Sequence, residues 1–340
     1  MIFEENVSAK DFSTFKVGGT IRYSCSIRTD EDLQEAIRFA ENKTIPLIMI
    51  GEGSNTIWKD GESAVLVASF KTKNISLILD DKDFVIWEVD AGINWDMLVE
   101  RSVSQGLYGI ECMSGIPGTI GAAPIQNIGA YGQEIKDVLV SARVYDLVEK
   151  RFKVLDHSEC NFSYRNSIFK TTEKGRYIIS SVTIRFSKKK TNKPHYESLQ
   201  RYFDEKRIID PTLPDIRNAV LEIRSTKLPD LRKIPNCGSF FENPIIALEQ
   251  ANLLKKKYPD IKIFPTEEKE LVKISAGWLI EKAGFKEKEM GNIVVYKNNA
   301  LVLTNKGDAT YDELLKAKDQ IASKVKEMFG IELEMEPNVV

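Results

Sequence analysis

Residues 114–121 read Ser-Gly-Ile-Pro-Gly-Thr-Ile-Gly, with a glycine at every third position around a single proline. Glycine lets another molecule approach the backbone closely and leaves N–H donors accessible, while the proline ring stiffens the loop. Residues 124–132, Pro-Ile-Gln-Asn-Ile-Gly-Ala-Tyr-Gly, follow directly and add two amides, a phenol and more glycine. Because these hydrogen-bonding groups carry no charge, they favour a neutral heteroaromatic ring system over a metal ion as the ligand.

A second glycine-rich segment, Gly-Glu-Gly-Ser-Asn at residues 51–55, follows a predicted strand. A Rossmann dinucleotide fold would need a third glycine and a long helix after this loop. Thr56 occupies the third glycine position, and the next predicted strand begins near Ala64, which leaves no room for that helix. The segment is therefore either a tight turn or a nest of backbone N–H groups for a phosphate. Two glycine loops without a Rossmann helix indicate one large dinucleotide spread across a domain.

Apolar periodicity predicts both strands and helices along the chain. The predicted strands cover residues 21–27, 46–50, 64–68, 75–79, 84–89, 138–145, 177–186, 293–295, 300–303 and 331–336. Helices are predicted after Thr29, from Asn94 to Gly106, within 197–224 and over 310–329. With 340 residues the chain is long enough for two or three domains, and Pro229 and Pro235 indicate a boundary.

Composition and charge exclude several classes of protein. Lys and Arg total 48 and Asp and Glu total 50, so the chain lacks the positive field that a nucleic acid requires. The cysteines and histidines are few and far apart: Cys25, Cys112, Cys160, Cys237, His157 and His195. This spacing argues against a zinc ribbon, a thioredoxin-type site or a histidine metal site, and it fits a reducing compartment. The N-terminus has no apolar signal segment, and the uncharged stretch 112–133 has too many glycines and amides for a membrane helix. We therefore expect a cytoplasmic protein with no metal, nucleic-acid or membrane partner.

Further segments carry a more specific pattern. They are Tyr-Arg-Asn-Ser-Ile-Phe at 164–169, Thr-Lys-Leu-Pro-Asp at 226–230 and Gly-Ser-Phe-Phe-Glu-Asn-Pro at 238–244. Together with residues 51–55 and 116–132 they resemble the family of UDP-N-acetylenolpyruvoylglucosamine reductases, in the family's order and spacing over nearly the whole chain. Pro-Ile-Gln-Asn at 124–127, with Tyr196 on an inserted loop, is similar to the longer of the family's two types.

The resemblance implies a fold and a division of the chain. The fold is α+β, with a two-part FAD-binding domain of the vanillyl-alcohol-oxidase/PCMH type and a separate α+β substrate-binding domain. We expect one part of the FAD-binding domain at 1–70, including a β-α-β unit and the 51–55 loop, and the other at 71–228. The substrate-binding domain is expected at 229–330, and a C-terminal strand at 331–340 is expected to return to the active site.

The resemblance also implies a reaction. Members of the family pass a hydride from NADPH to FAD and then to the enolpyruvyl group of a UDP-sugar, which yields UDP-N-acetylmuramate for peptidoglycan synthesis. FAD is expected to be bound without a covalent tether, with NADPH as the cosubstrate, and the protein is expected to be a monomer. Side chains are poor hydride carriers, so the protein supplies orientation and electrostatics.

Site residues follow from matching this chain to the family's motifs. Arg165 would bind the substrate carboxylate, Ser239 would donate the proton, and Glu336 would lie near the developing enolate. Glu334 lies two residues from Glu336 and would take its place if the register shifted, although the spacing to Val340 favours Glu336. The expected FAD contacts are Gly51, Gly53, Ser54, Asn55, Ser114, Gly115, Ile116, Pro117, Gly118, Thr119, Gly121, Gln126, Asn127 and Gly129. The expected substrate contacts are Tyr131, Tyr164, Tyr196, Lys227, Asn243, Lys286 and Asn299.

Two alternative functions remain open from the sequence. A flavin oxidase of the same broad fold often tethers FAD through His or Cys, and Cys112 lies close to a glycine loop. A nucleotide-sugar sensor that kept the fold without catalysis is the other alternative, although the presence of Arg165, Ser239 and Glu336 argues against it.

Overall fold

The computed structural model describes residues 1–190, 196–266 and 268–340, so His195 lies outside the described residues. The chain forms two compact units. The first unit contains Met1–Glu5, Tyr23–Glu52 and Ala64–Arg224, and the second contains Asn6–Arg22, Gly53–Ser63 and Ser225–Val340. The sequence-based division into four parts stays a prediction.

The strands and helices alternate irregularly along the chain, as in an α+β protein. The strands are β1 Phe3–Ser8, β2 Thr20–Ile27, β3 Leu47–Met49, β4 Thr56–Ile57, β5 Glu62–Phe70, β6 Ile75–Asp80, β7 Phe84–Asp90, β8 Gly129–Ala130, β9 Gln133–Glu134, β10 Leu139–Asp146, β11 Arg151–Asp156, β12 Tyr177–Ser187, β13 Asn236–Ser239, β14 Ile245–Ala247, β15 Ile263–Pro265, β16 Leu271–Ile274, β17 Glu289–Met290, β18 Ile293–Val295, β19 Val302–Asn305 and β20 Asn338–Val339. The helices are α1 Asp30–Lys43, α2 Trp95–Ser104, α3 Glu197–Lys206, α4 Leu213–Lys227, α5 Leu248–Lys257, α6 Ala276–Lys282 and α7 Tyr311–Phe329.

The first unit is organised around an antiparallel sheet in the order β11-β10-β12-β7-β6. Every second residue of β7 is buried, as expected for a strand with one face on a core. These residues pack with Trp95, Leu98 and Val99 of α2 in one apolar cluster. A second sheet has the order β1-β2-β5-β3, in which β3 and β5 are parallel.

Helix starts in this unit follow local capping chemistry. The Thr29 hydroxyl accepts from Asp32 N at 3.1 Å, and the Asp32 carboxylate accepts from Thr29 N at 3.2 Å, which closes a capping box before α1. Asn94 caps α2 by accepting from Met97 N at 2.9 Å. Both caps satisfy backbone donors that a helix end leaves without a partner.

The second unit has its own core. Its sheets have the orders β13-β19-β18-β17 and β14-β16-β15, and α7 contributes Leu314, Ile321 and Val325 to the same apolar cluster. The helix ends at Gly330, which adopts the left-handed conformation with φ of 66°. No helix among the described residues is both long and apolar enough to cross a membrane.

Most predicted elements are present, with small shifts at their ends. The predicted helical region 197–224 is two helices, because Arg207 adopts a left-handed conformation after α3 and Pro211 lies before α4. Strand β11 was not predicted from the sequence. It lies at the edge of its sheet, and its residues are mostly exposed or half-buried, so a core-facing apolar pattern is weak there.

The predicted strand over 331–336 is wrong. Only Met335 forms an isolated bridge, with Phe241, and the C-terminal strand is β20, which pairs in parallel with β4. The alternation arises because Ile331, Leu333 and Met335 pack against the core of the second unit, whereas Glu332 and Glu334 are exposed. Alternating burial is not enough for a strand, which also needs hydrogen bonds to a neighbouring strand. Pro337, which follows directly, has no N–H to donate to such a neighbour.

Candidate active site

The glycine loop at 115–121 lies along the chain that leads into α2. Ile120 N donates to Ile93 O at 2.8 Å, and Trp95 N donates to Gly118 O at 2.9 Å. Gly118 has a φ of 124°, which side-chain-bearing residues rarely adopt. A Cβ on Gly121 would lie 2.7 Å from the Cβ of Ala91, so the close approach of these two backbones requires glycine.

Glu52 joins this loop to the first glycine segment. Its carboxylate accepts from Gly118 N at 2.9 Å and from Asn94 Nδ2 at 2.7 Å. A Cβ on Gly51 would lie 2.7 Å from Thr119 Oγ1. The two glycine segments found in the sequence therefore meet within the first unit. Glu52 was not predicted as a site residue, because a carboxylate in a loop usually faces solvent.

Several backbone donors in this region remain available to a ligand. Among the described residues, none accepts a hydrogen bond from the N–H of Gly51, Ile116 or Thr119. Half-buried N–H groups at glycine turns form the kind of concave nest that binds a phosphate or another anion. Glycine cradles and unused donors thus fit a dinucleotide cofactor, whose pyrophosphate needs such donors.

A charged cluster supports the loop at Gly115. Gly115 N donates to Asp96 Oδ1 at 2.6 Å, and Arg217 holds the same carboxylate with two contacts of 2.6 and 2.9 Å. Burial raises the pKa of Asp96, but the hydrogen bonds from Arg217 and Gly115 outweigh burial and lower that pKa overall. Arg224 donates to Gly115 O at 3.0 Å, and its burial lowers the pKa of its guanidinium. The sequence does not predict the roles of Asp96, Arg217 and Arg224, because nothing in the local sequence of a helix indicates which loop a charged residue on it will contact.

The remaining expected FAD contacts of the first unit are Ser114, Pro117, Gln126, Asn127 and Gly129. Asn127 is fully buried, and its amide is used inside the protein. Asn127 Nδ2 donates to Glu134 Oε2 at 2.8 Å and to Ser163 O at 3.0 Å, while its Oδ1 accepts from Lys136 N at 3.1 Å. The Ser114 hydroxyl likewise donates to Glu111 O at 2.7 Å. These two side chains shape the loop from within.

Arg165 lies on a short loop that packs against residues 125–129. Ser167 Oγ donates to Ile125 O at 2.6 Å, and Arg165 Nη2 donates to Gly129 O at 3.3 Å. The Arg165 guanidinium also lies over the ring of Tyr164, 5.3 Å from its centroid. Arg165 is half-buried and has a φ of 52°, so the loop presents it in an uncommon backbone conformation.

Tyr131 and Tyr196 lie together in the first unit. Their ring centroids are 5.9 Å apart and the rings are perpendicular. Burial raises the pKa of both phenols, so both stay neutral hydrogen-bonding groups at pH 7. Tyr131 packs against the apolar cluster formed by α3 and α4, while Tyr196 keeps 41% of its surface exposed.

The other two expected catalytic residues belong to the second unit. Ser239 ends β13, opposite Val302 of β19, and its half-buried hydroxyl makes no hydrogen bond with any described residue. Glu336 N donates to the carbonyl of Phe240, the next residue after Ser239, at 3.0 Å. The structure therefore brings the Ser239 and Glu336 backbones together. Glu334 is exposed whereas Glu336 is half-buried, which favours Glu336 as the functional carboxylate.

Gly53, Ser54 and Asn55 also belong to the second unit. A Cβ on Gly53 would lie 2.2 Å from the carbonyl oxygen of Phe12, and Gly53 has a φ of 68°, so only glycine fits there. Asn55 Nδ2 donates to Glu336 O at 3.3 Å. One end of the 51–55 segment is thus attached to the backbone of Glu336.

Three of the expected substrate contacts surround the start and end of α6. Asn243 Oδ1 accepts from Ala276 N at 2.9 Å, and Asn299 Oδ1 lies 3.6 Å from where a Cβ on Gly277 would stand. The third, Lys286, forms an ion pair with Glu281 at 2.8 Å. The fourth expected contact in this unit, Lys227, is exposed at the end of α4.

Cys112 lies just before the glycine loop in the sequence, and its thiol is unreactive. Burial, followed by the nearby Glu111 carboxylate, raises the pKa of Cys112 to about 12. A thiol with this pKa is almost wholly protonated at pH 7 and is a poor nucleophile for a covalent link to a flavin. No group of three or more His, Cys, Asp or Glu residues in the described ranges is arranged to hold a metal ion.

Glycine cradles, unused backbone donors and an α+β framework define a protein that binds a dinucleotide. An FAD-binding domain model matches residues 23–150, and a model of the C-terminal domain of UDP-N-acetylenolpyruvoylglucosamine reductase matches residues 229–340. The reductase of this name from Flavobacterium johnsoniae is 40% identical over 343 residues, covering 100% of both chains. The one from Pseudomonas aeruginosa is 38% identical and covers 99% of this chain and 98% of its own. The chain belongs to the UDP-N-acetylenolpyruvoylglucosamine reductase family.

A solved structure agrees at the level of the fold. The reductase from Thermus caldophilus aligns over 99% of both chains with a TM-score of 0.67 at 22% sequence identity. The family models and the relatives at 38–40% identity confirm the resemblance found in the sequence motifs. The α+β fold with an FAD-binding domain, the FAD cofactor and the class of flavin-dependent oxidoreductase are confirmed as well.

Proposed function

We propose that the protein reduces the enolpyruvyl group of UDP-N-acetyl-3-O-(1-carboxyvinyl)-glucosamine to give UDP-N-acetylmuramate, with electrons from NADPH. The observation that carries this proposal is the adjacency of Ser239 and Glu336, held by the hydrogen bond from Glu336 N to Phe240 O at 3.0 Å. Bound FAD supplies hydride transfer, which side chains cannot perform. We further propose a cytoplasmic location, in keeping with four buried cysteines that form no disulfide. A monomer is proposed from the family resemblance alone.

The backbone of the glycine segments is proposed to hold the cofactor. The N–H groups of Gly51, Ile116 and Thr119 are the available donors, and Glu52 fixes the two segments against each other. In this role the side chains of Ser114 and Asn127 act indirectly, because their hydrogen bonds already lie within the protein.

The reduction adds a hydride to the terminal carbon of the enolpyruvyl group and a proton to the carbon that bears the carboxylate. Negative charge develops on the carboxylate side between these two events. Arg165 is proposed to bind the carboxylate in a two-point arrangement, since a guanidinium stays charged and its planar fork matches a carboxylate. Arg165 is oriented by Gly129 O and by the Tyr164 ring.

Ser239 is proposed to donate the proton. A serine hydroxyl is a weak acid, so it protonates only a strong base such as an enolate. The hydroxyl is not committed to another described residue, which leaves it available to the substrate. Glu336 would have to be protonated or tightly paired to assist beside developing negative charge.

The UDP part of the substrate is proposed to contact Tyr131, Tyr164, Tyr196, Lys227, Asn243, Lys286 and Asn299. Lys227 and Lys286 suit the pyrophosphate, to which lysine acts as a point charge. Lys286 already pairs with Glu281 at 2.8 Å, so phosphate binding would compete with that exposed pair or share the ammonium. The neutral phenols of Tyr131 and Tyr196 would serve as hydrogen-bond or stacking groups.

A direct experiment tests the proposed reaction. The FAD-loaded protein is reduced by NADPH without oxygen, and the enolpyruvyl UDP-sugar is then added while flavin absorbance is followed. We expect bleaching of the flavin in the first step and return of the oxidised spectrum in the second. The amount of UDP-N-acetylmuramate formed should equal the amount of flavin reoxidised. Reduced flavin that persists in the presence of the UDP-sugar would contradict the proposal.

A further inference from the structure

Asn55 contacts the chain on both sides of Pro337. Its Nδ2 donates to the carbonyl oxygen of Glu336 at 3.3 Å, and its own carbonyl accepts from Asn338 N at 2.9 Å. Pro337 is buried and has no N–H to offer. One residue of the 51–55 segment therefore holds the chain immediately before and immediately after the proline.

The N–H side of Glu336 is fixed by a different element. Glu336 N donates to Phe240 O at 3.0 Å, and Phe240 N donates to Leu301 O at 2.7 Å. The Phe240 side chain is fully buried. The backbone of Glu336 thus has its N–H set by the strand that leads from Ser239 and its carbonyl set by the Asn55 amide.

Regular strand pairing does not reach Glu336. Strand β20 pairs with β4 at Asn338 and Val339, and Val340 N donates to Ile57 O at 2.9 Å. The Asn55 side-chain amide bonds the Glu336 carbonyl, just beyond the end of that pairing. The hydrogen bonds to the N–H and to the carbonyl of Glu336 both contribute to the position of the residue that bears the carboxylate.

We propose that Asn55 is a positioning residue for Glu336. Its side-chain amide fixes the carbonyl of the residue that bears the functional carboxylate, and it thereby ties residues 53–55 to the proton-transfer side of the reaction. This inference rests on the proposed function, because it takes Glu336 as part of the reaction site. Loss of the Asn55 amide should therefore affect the reaction through Glu336 and not through cofactor contacts alone.

The first test uses the FAD-loaded protein with Asn55→Ala and Asn55→Asp. Asn55→Asp keeps the shape of the side chain but replaces the donor with an oxygen that repels the Glu336 carbonyl. We expect flavin reoxidation by the UDP-sugar to slow by roughly 3- to 10-fold, the range that one hydrogen bond supports. Reduction by NADPH should slow less than reoxidation, because Asn55 is also an expected FAD contact and a lost cofactor contact would slow both steps to a similar degree. An equal slowing of both half-reactions in both variants would overturn the inference.

Asn338→Ala is the matched control. Its side chain is exposed and lies on the same C-terminal segment, and its backbone N–H still donates to Asn55. We expect both half-reactions to stay within about 2-fold of the native rate, as for an ordinary surface change. Slowing of reoxidation by this control as large as that in Asn55→Ala would show a general loosening of the C-terminus and overturn the specific role of the amide.

A double-mutant cycle with Glu336→Gln decides whether Asn55 acts through Glu336 or independently of it. If Asn55 acts through Glu336, the double variant should reoxidise within about 2-fold of Glu336→Gln alone, because the effects of coupled residues do not add. A double variant slowed by the full product of the two single effects would place Asn55 in an independent role. Native reoxidation by Glu336→Gln itself would remove Glu336 from the proposed function, and the inference would fall with it.

Amide hydrogen exchange gives a readout that does not depend on turnover. In the FAD-loaded Asn55→Ala protein, we expect faster exchange in peptides that cover 331–340, with unchanged exchange in peptides of α7. The Asn338→Ala control should exchange like the native protein in both regions. Unchanged exchange over 331–340 in Asn55→Ala would overturn the inference, because the amide would then not hold this segment.

Discussion

The glycine region of the first unit and the Ser239 region of the second unit present chemical groups in opposite ways. At Gly51 and residues 115–121 the available groups are backbone N–H donors, and charged side chains such as Glu52 and Asp96 support the loops from behind. At Ser239 and Glu336 the proposed functional groups are side chains. Strand pairing with Val302 holds the backbone of Ser239, and a hydrogen bond to Phe240 O holds that of Glu336.

This difference teaches which substitutions matter in each region. A site made of backbone donors tolerates many side chains, but it fails where a Cβ would close the approach or strain the turn. A site made of side chains fails when one functional group is lost, even though the fold is intact. Substitutions in the first region should therefore change cofactor retention, and those in the second should change one half-reaction.

The largest effect is expected for Ser239→Ala. If Ser239 protonates the substrate, reoxidation of the flavin by the enolpyruvyl UDP-sugar should slow by roughly 10²–10⁴-fold, the usual contribution of a general acid. Reduction by NADPH should keep nearly its native rate, because that step needs no proton from Ser239. Stopped-flow absorbance of the flavin measures the two steps separately.

A residue on the same segment supplies a control for the Ser239 substitution. Glu242→Gln changes a half-buried side chain, and the hydrogen bond from its backbone N to Glu334 O at 2.9 Å is kept in the variant. We expect a far smaller change in reoxidation than in Ser239→Ala. Equal slowing of reduction and reoxidation in Ser239→Ala would show a structural role for Ser239 and contradict its assignment as the proton donor.

Arg165→Lys sharpens the comparison, because Arg165 belongs to the first unit but is proposed to act on the substrate. Lysine keeps the charge and loses the planar two-point grip on a carboxylate. We expect reoxidation to slow by roughly 10- to 100-fold, in line with one charge-assisted contact. FAD content should be unchanged, and normal reoxidation by the lysine variant would refute the two-point arrangement.

Gly118→Val tests the backbone character of the first region. Gly118 has a φ of 124°, and a β-branched side chain there costs at least about 1–2 kcal/mol in backbone strain. We expect FAD affinity to fall by roughly 10-fold or more, as measured by recovery of flavin fluorescence on dilution, because the loop must move.

Gly175→Val is the control for this backbone strain. Gly175 also has a positive φ, of 82°, but it is exposed on a turn, and no atom lies within 4 Å of a Cβ there. We expect some loss of stability in this variant and native FAD affinity. A Gly118→Val protein with native FAD affinity would argue against residues 115–121 as the cofactor site.

The sequence predicts those parts of the candidate site where the residue type itself implies the local backbone geometry. Glycine at 115, 118 and 121 indicates a close backbone approach by residue type and spacing alone. Glu52 and Asp96 could not be found in this way, because a carboxylate in a loop or in the first turn of a helix is usually solvated or placed by the helix dipole. Their role depends on which distant backbone N–H groups the fold brings to them.

The same limit explains the error at the C-terminus. The alternation over 331–336 correctly reflects which side chains contact the core, as Ile331, Leu333 and Met335 do. It does not reveal whether a neighbouring strand is present along the whole segment, since that depends on residues far away in sequence. The hydrogen bond from Asn55 to Glu336 spans 281 positions and leaves no local signal.

The smallest effect is expected for Asp96→Asn, which removes the charge behind the glycine loop but keeps an oxygen for Gly115 N. Against the opposing effect of burial, Arg217 and Gly115 hold the pKa of Asp96 below its usual value, so the folded protein prefers the carboxylate. We expect the free energy of unfolding to fall by about 1–2 kcal/mol at pH 7, as for a charge-assisted hydrogen bond. Asp83→Asn is the control, because Asp83 pairs with Lys189 at an exposed site and should change stability by at most about 0.5 kcal/mol.

The pH dependence separates this charge effect from a packing effect. Because the pKa of Asp96 is lower in the folded protein than in the unfolded chain, the carboxylate contributes stability at any pH above its unfolded value of about 3.9. That contribution disappears as the pH falls through the lower, folded pKa, where the native protein must protonate Asp96 too. The stability gap between the native protein and Asp96→Asn should therefore be constant from pH 7 to about 5 and should close below about 4, in urea unfolding at each pH. A stability gap that persists unchanged to about pH 3 would show that the asparagine disturbs packing around Gly115. Glu52 would then be the remaining example of a carboxylate whose charge supports the glycine loops of the first unit.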